Sequence, residues 1–362
     1  RLAKASTSPG QGLDFARLKP RLRVGFGGLA LPPALSYNHK ENTVIRPCSL
    51  RDLPAVRSLQ HDGIWLDLFH HLLLQRSALS SALMAPVPWV GAGLATYVWP
   101  QTGRVQGFVQ LLKRPGRHEA DLLFLAPRLQ GVGHGQRAWE QLLAGCMGEA
   151  SEQALRRLFA SVPESGRESE ILASLGFLVY TNEEVYALSG SWQSPAPPAT
   201  PRPRLRRPED IWWLRRLYSI YTPQPVQHAE GHQNDDGQAS LPLAWWEMTD
   251  QSSFVVPDRG DVLGGVQLVS GRRGHWLLLH GDPGDAGLMA ALVRCGIDAA
   301  AGSRWPIYCA VRDYQGGLSA VLQASGFQSF TRRSRLIKRL AVPVKAAEPL
   351  AVPGLVAEGP GS

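Results

Sequence analysis

The chain repeats itself, and that repetition constrains its fold more than any single residue does. "IRPCSLRDLPAVRSL" (45–59) aligns with "LRRPEDIWWLRRLY" (205–218): with Asp52 set against Asp210, Leu53 meets Ile211, Val56 meets Leu214, Arg57 meets Arg215 and Leu59 meets Leu217. Further on, "ILASLGF" (171–177) matches "VLQASGF" (321–327), and each follows a short strand-like run, "RLFASV" or "IYCAVR". The two offsets, 158 and 150 residues, are close enough for one fold used twice. Between the copies, "SGSWQSPAPPATPRP" (189–203) is rich in Pro, Ser and Ala and has no apolar period, the composition of a semi-extended linker. The expected organisation is a domain over 43–192, a linker over 193–203 and a second domain over 204–341, with poorly ordered flanks at 1–42 and 342–362.

A chain of 362 residues that is 44% hydrophobic has the material for two cores. No apolar run reaches the roughly 20 residues of a membrane helix. "IWLDLFHHLLL" (64–74) is shorter, carries Asp67, His70 and His71, and reads as a buried helix. Cys48, Cys146, Cys295 and Cys309 lie far apart with no CxxC pair, so neither a zinc knuckle nor a disulfide framework is suggested, and a cytoplasmic setting is expected. "RLAKASTSPG" lacks the order of a secretory signal, and without an initiating Met the sequence is expected to begin mid-chain.

The net charge of +8 invites a nucleic-acid reading until it is placed along the chain. Residues 1–42 hold 7 basic and 2 acidic side chains, residues 43–192 hold 13 of each, and residues 204–341 hold 16 and 13. The surplus sits in the flank and in clusters at 202–207 and 332–339, which read as solvated edges rather than a nucleic-acid footprint.

Within the first copy the pattern predicts a short strand (43–48), helices across 50–83 and strands at 92–99, 104–113 and 118–126. Gly103 and "KRPGRH" (113–118) suit the turns between them. A helix is expected at about 135–150, because Ala138, Leu142 and Cys146, flanked by Trp139, Leu143 and Met147, recur at helical spacing. Strand "LRRLFASV", helix "RESEILASLG" and strands around "FLVY" and "EVYALS" complete an α+β domain, a mostly antiparallel sheet flanked by helices.

Before the 135–150 helix runs Gln130-Gly131-Val132-Gly133-His134-Gly135. Glycines let successive N–H groups converge, and they open onto a helix N-terminus whose first N–H groups have no partner inside the helix. That is an anion cradle suited to a phosphate or pyrophosphate, unless it is a glycine-rich turn and nothing more. Gly133 to Ala138 satisfies GxGxxA, but a dinucleotide fold needs a βαβ unit with an acidic residue at the end of the next strand, and that strand ends "FASVPES". A Walker loop is excluded because no Gly-Lys-Ser/Thr follows.

The loop resembles the Q/R-x-x-G-x-G/A pyrophosphate motif of the GCN5-related N-acetyltransferases (GNAT superfamily), met by Gln130, Gly133 and Gly135. "LFLAPRLQGVGHGQRAWEQLL", "SVPESGRESEILASLGF" and "VIRPCSLRDLPAVRSL" are similar to that family's central, late and first segments, covering about 43–189 with a weaker echo at 204–341. The resemblance implies two tandem GNAT-like domains and acetyl-CoA as co-substrate, with no metal. Its pyrophosphate would meet the backbone of Gln130, Gly131, Val132, Gly133, His134, Gly135 and Gln136. Its pantetheine arm would run along the main chain of Leu125 and Ala126, where the fourth and fifth strands splay apart. Arg128 and Arg137 stand beside the loop, as phosphate contacts or as solvent-facing side chains. The implied reaction is N-acetyl transfer to an amine, on a small molecule or a peptide; the alternative is a non-catalytic acyl-CoA-binding or interaction protein.

Transfer to an amine needs a group to take the ammonium proton. The resemblance places a catalytic carboxylate at Glu119, 11 residues before Gln130, and Asp121 points to the same side of the strand. The other reading of each is a strand-end surface carboxylate or a salt bridge with Arg117. The family's thiolate-protonating Tyr falls on Leu172, a departure repeated at Leu322 in the second copy. There, "LLLHGDPGDAGLMAALV" (277–293) lacks the motif, and Asp282 and Asp285 would repel phosphate, so this copy reads as degenerate. "HAEGHQNDD" (228–236) has ligand-type residues without metal-site spacing, no GxSxG elbow exists, and Trp212, Trp213, Trp245 and Trp246 read as core or interdomain contacts.

Overall fold

The computed structural model describes residues 45–74, 77–85, 93–114, 116–129, 134–190, 202–230, 250–258 and 260–341. In the first half β1 (Arg46–Pro47), α1 (Leu53–Leu59), β2 (Ile64–Trp65), α2 (Leu68–Leu74) and α3 (Ala78–Met84) precede β3 (Leu94–Gln101), β4 (Arg104–Lys113) and β5 (Glu119–Ala126). α4 (His134–Glu152), β6 (Arg157–Pro163), α5 (Arg167–Ser174) and β7 (Leu178–Leu188) complete it. The second half runs β8 (Arg204–Leu205), α6 (Asp210–Tyr221), α7 (Gln224–Glu230), β9 (Asp250–Asp258), β10 (Asp261–Ser270), β11 (His275–Gly281), α8 (Ala286–Ala299), β12 (Ile307–Arg312), α9 (Gly316–Ala324) and β13 (Gln328–Arg339). The fold is α+β, and its halves are built alike.

The repetition reaches atomic detail. At the start of α1, Arg46 pairs with Asp52 at 2.6 Å, and Asp52 also accepts from the Ser49 N–H. At the start of α6, Arg204 pairs with Asp210 at 2.7 Å, and Asp210 accepts from the Arg207 N–H. Each carboxylate satisfies a donor at a helix N-terminus and ties it to the preceding strand.

Two sheets are expected, and the structure joins them into one. Its strands run β1-β3-β4-β5-β6-β13-β7-β12-β11-β10-β9-β8, with β2 beside β5. The last strand of each half lies inside the other: β13 is inserted between β6 and β7, and β7 lies between β13 and β12. β13 pairs antiparallel with β6 from Arg333↔Pro163 to Arg339↔Arg157, and with β7 from Gln328↔Ala187 to Ile337↔Leu178. "FLVY" and "EVYALS" therefore form one long strand rather than two, because an exchanged neighbour supplies the pairing that a local hairpin would have given.

α4 packs Trp139, Leu142, Leu143 and Cys146 onto one face of the first half, against Val109, Leu111, Leu122 and Leu158. α8 and α9 do the same on the second, with Leu292, Val293 and Leu322. Each fully buried leucine of this kind contributes roughly 1.5–3 kcal/mol. The opposite face is covered by α1, α2 and α3 over Val98, Phe108 and Phe124, and this core continues into the second half through Trp276 and Tyr308.

"IWLDLFHHLLL" departs from its expected form. Asp67 Oδ1 accepts from the His70 N–H at 3.2 Å, so α2 starts only at Leu68, and Ile64–Trp65 is left extended as β2.

Candidate functional site

In each half a parallel strand pair comes apart after three residues. β5 and β6 pair at Glu119↔Arg157, Ala120↔Leu158 and Asp121↔Phe159; β11 and β12 pair at His275↔Ile307, Trp276↔Tyr308 and Leu277↔Cys309. Beyond these points the facing strand edges present main-chain N–H and C=O groups that need partners.

In the first half the partner is the chain itself. Ile64 and Trp65 pair antiparallel with Leu125 and Phe124, the Leu66 N–H donates to the Leu123 carbonyl at 2.8 Å, and the Ser161 N–H donates to the Leu66 carbonyl at 2.8 Å. β2 thus bridges from β5 to β6. The Arg128 N–H donates to the Asp62 carbonyl at 2.7 Å, fixing the entry to the segment. From the exchanged β13, Arg333 donates to the Trp65 carbonyl at 3.0 Å, to Ser161 Oγ at 2.8 Å and to the Ser161 carbonyl. Burial lowers the Arg333 pKa to about 10. Trp65 stacks on His71 with ring centroids 4.6 Å apart and meets the edge of Phe124 at 5.0 Å. Gly63 leaves room for the Phe124 ring, since a Cβ there would lie 2.1 Å from Phe124 Cζ. Leu125 and Ala126 are both fully buried, and the edge of β5 at Leu125 that an acyl-CoA arm would follow is taken by β2. The first half as it stands does not fit that arm.

Asp121 lies at the parting point, with Glu119 two residues before it. Asp121 is held by both Nε and Nη2 of Arg114, at 2.9 and 2.7 Å. Glu119 meets Arg114 at 3.1 Å, Arg157 at 3.0 Å and Arg117 at 3.5 Å. Burial opposes the Arg114 cation, but Asp121 and Glu119 hold its pKa above the ordinary value. Paired and hydrogen-bonded, these buried charges can persist in a dry site.

In the second half, among the described residues, the strand edge is open and the helix is closed. Among the described residues no strand lies between β11 and β12 as β2 lies between β5 and β6. The turn into α8 is short: residues 284–285 separate Pro283 from α8, whereas residues 128–133 separate Pro127 from α4. Its amides are already used. Asp285 caps α8 by accepting from the Leu288 N–H at 2.9 Å, and Asp282 accepts from the Gly284 N–H at 2.8 Å. A phosphate would compete with two carboxylates for those donors, so this half offers an arm's path without an anion cradle.

Between the two parting points lies a cavity of about 640 Å³. Asp121 of β5 reaches it from one side and Leu277–Gly281 of β11 from the other, with Glu183 of β7, Arg335 of β13 and Arg312 of β12 lining it and α6 as a wall. Arg312 binds Glu230 at 2.5 Å, and Glu230 accepts from the Tyr218 hydroxyl at 2.7 Å. Burial and the Glu230 charge together push the Tyr218 phenol above its usual range. Arg335 approaches Glu183 at 3.5 Å and donates to Tyr180 Oη at 3.0 Å. Asp67 pairs with His70 Nδ1 at 2.6 Å. Against the cost of burial, the His70 charge and hydrogen bonds hold the Asp67 carboxyl below the usual carboxylate range.

The structure therefore brings Asp121 to the cavity, with Glu119 behind it in the arginine cluster. Gln130, Gly131, Val132 and Gly133 lie outside the described residues, as do Trp245, Trp246 and 231–236 of "HAEGHQNDD". His134 begins α4, but its side chain is likewise outside them. Gly135 is buried, and a Cβ on it would lie 3.1 Å from the Arg128 carbonyl; Gln136 is exposed and bonds Glu140 at 3.0 Å. Arg128 and Arg137 are exposed. Glu183 and Arg312 were not singled out from the sequence; a charged residue inside a strand, as in "NEEVYAL", is the signal that marks Glu183. The 332–339 cluster is not simply a solvated edge, because Arg333 is buried and Arg335 lines the cavity, and Glu230 of "HAEGHQNDD" serves as an ion-pair partner of Arg312. Among the described residues no helix is long and apolar enough to cross a membrane, and no three or more His, Cys, Asp or Glu side chains gather as a metal site.

No protein-family model matches the sequence, and no curated protein matches it. Solved structures are similar in fold. A GCN5-related N-acetyltransferase from Sphaerobacter thermophilus is 13% identical over 84% of this chain and 97% of its own, with a TM-score of 0.49. A tandem GNAT protein from the clavulanic acid biosynthesis pathway is 15% identical over 83% of this chain and 99% of its own, TM-score 0.46. A GNAT-family acetyltransferase from Colwellia psychrerythraea is 12% identical over 82% and 99%, TM-score 0.43.

Proposed function

We propose that this chain, whose two halves are built alike, is a GNAT-type acyltransferase that moves an acetyl group from acetyl-CoA to an amine held in the cavity between its parting strand pairs. The observation that carries the reading is the place of that cavity. It touches β5 at Asp121, where β5 leaves β6, and β11 at Leu277, where β11 leaves β12, so an acceptor bound there faces both partings. Its volume lies within the range of small-molecule sites.

An attacking ammonium has to lose a proton, and the reading assigns that step to Asp121 or Glu183, the carboxylates of the strands that line the cavity. Glu119 fixes Arg114, which in turn orients Asp121. The glycine-rich run from Gln130 to Gln136 is the proposed seat of the pyrophosphate, opening onto α4. The arm along Leu125 and Ala126 requires Ile64–Leu66 to leave the edge of β5.

A second reading is favoured by β2 and Asp285: a non-catalytic binding protein in which one half keeps the loop with its strand edge occupied, and the other keeps the edge with its helix capped. Measuring CoA release from acetyl-CoA across a panel of amines separates the two. The first reading expects release with at least one amine and a loss of about 10²–10⁴ in kcat/KM for Asp121→Asn. No release with any amine, alongside measurable amine binding by calorimetry, overturns it in favour of the second.

A further inference from the structure

The charges around the cavity do not balance. Its described lining holds seven arginines and four carboxylates. Arg114, Arg312 and Arg335 are matched by Asp121, Glu230 and Glu183, and Asp67 is matched by His70. Arg117 is met by Glu119 at 3.5 Å just outside the lining, and Arg206 and Arg216 are exposed to solvent. Arg215 is the half-buried one left unmatched among the described residues. It lies on α6 against the cavity, its Nε is buried, and among the described residues it makes no hydrogen bond or ion pair. Its counterpart in the first half, Arg57, is exposed to solvent, where a guanidinium needs no protein partner. A buried N–H without an acceptor is costly, and an arginine fork matches a carboxylate through two parallel bonds. The same cavity has apolar walls as well: Leu214 and Leu217 of α6, Leu278 of β11, and Phe69 and Trp276, whose rings meet edge to face at 5.3 Å.

We propose that the cavity binds a small organic carboxylate with an apolar body, its carboxylate held by Arg215. Resting on the acyl-transfer reading, the acceptor is then an amine that also bears a carboxylate.

Three probes share one body and differ in their charged groups: phenylalanine, phenethylamine and 3-phenylpropionate. Calorimetry on the full chain is expected to show both acids binding at least tenfold more tightly than phenethylamine. Arg215→Gln is expected to weaken both acids at least tenfold while leaving phenethylamine within twofold. Arg215→Lys, which keeps the charge and loses the fork, is expected to fall between them. An unchanged thermal midpoint in both variants separates lost recognition from lost folding. The proposal is overturned if phenethylamine binds as tightly as phenylalanine, if Arg215→Gln leaves acid affinity unchanged, or if no probe binds. Because 3-phenylpropionate has no amine to acylate, its binding reports on the cavity alone. Retained acid binding without CoA release sinks the acyl-transfer reading and leaves this one standing.

Discussion

The two strand partings are built on one plan and are closed by opposite means. In the first half the glycine-bearing approach to α4 is kept in the sequence, while β2 lies along β5 and bonds across to β6. In the second half the edge of β11 is left to the cavity, while Asp285 sits on the end of α8. A main-chain edge and a helix terminus are both sets of unsatisfied polar groups, and each will take a ligand or a piece of its own chain. What differs between the halves is which set the protein satisfies internally.

That contrast can be broken most forcefully at Arg333. Arg333→Met orphans the Trp65 carbonyl and the Ser161 hydroxyl and carbonyl, and is expected to cost about 3 kcal/mol in urea denaturation. Amide exchange should accelerate at Leu66 and Ser161 and leave β11 unaffected; equal acceleration at β11 would show that Arg333 does not act through β2. Gly63→Val is a gentler way to lift β2, because the new side chain collides with Phe124. An expected loss of about 2 kcal/mol in stability should accompany tighter CoA binding by calorimetry, and unchanged affinity would mean that β2 is not what keeps CoA from the first half.

On the other side, Asp285→Ala removes the α8 cap and is expected to cost about 1 kcal/mol by thermal denaturation. Any phosphate affinity it creates should appear in the second half alone. The smallest effect concerns pH. Burial, and then the Arg333 charge, depress the His71 pKa below 6.5, so its neutral form is the stable one in the fold. Stability from this group is present above the unfolded value and is lost as pH falls through 6.5 towards the folded value. The urea midpoint should therefore drop slightly between pH 7.5 and 5.5 in the native chain and less so in His71→Leu.

The duplication, the long strands and α4 were legible because each is local. Asp52 and Asp210 stand at matching places before matching helices, Thr102 and Gly103 take the left-handed backbone of the β3–β4 turn, and α4 repeats its apolar residues at helical spacing. The exchange of β7 and β13 was not legible, since a strand's alternation records that one face is buried and says nothing about which strand lies beside it. β2 was hidden for a different reason. Two extended residues inside an apolar run leave no period, and Gly63 before it and Asp67 after it are its only marks. The arginine cluster was half visible: Arg117 is close to Glu119 in sequence, whereas Arg157 arrives through the parallel pairing of β6.

The exchanged strand also sets an order in time. Arg333 and Ser161 are 172 residues apart, so the position beside β6 cannot be filled until the second half has been made. At 5–20 residues per second, a ribosome takes roughly ten to thirty seconds over that stretch. Throughout that interval the first half is a folding domain with a vacant place in its sheet, and an unpaired edge accepts any complementary strand that reaches it. On a polysome the nearest such strand can belong to a neighbouring copy. The geometry that joins the two halves of one molecule is therefore also the geometry by which two molecules would exchange their last strands.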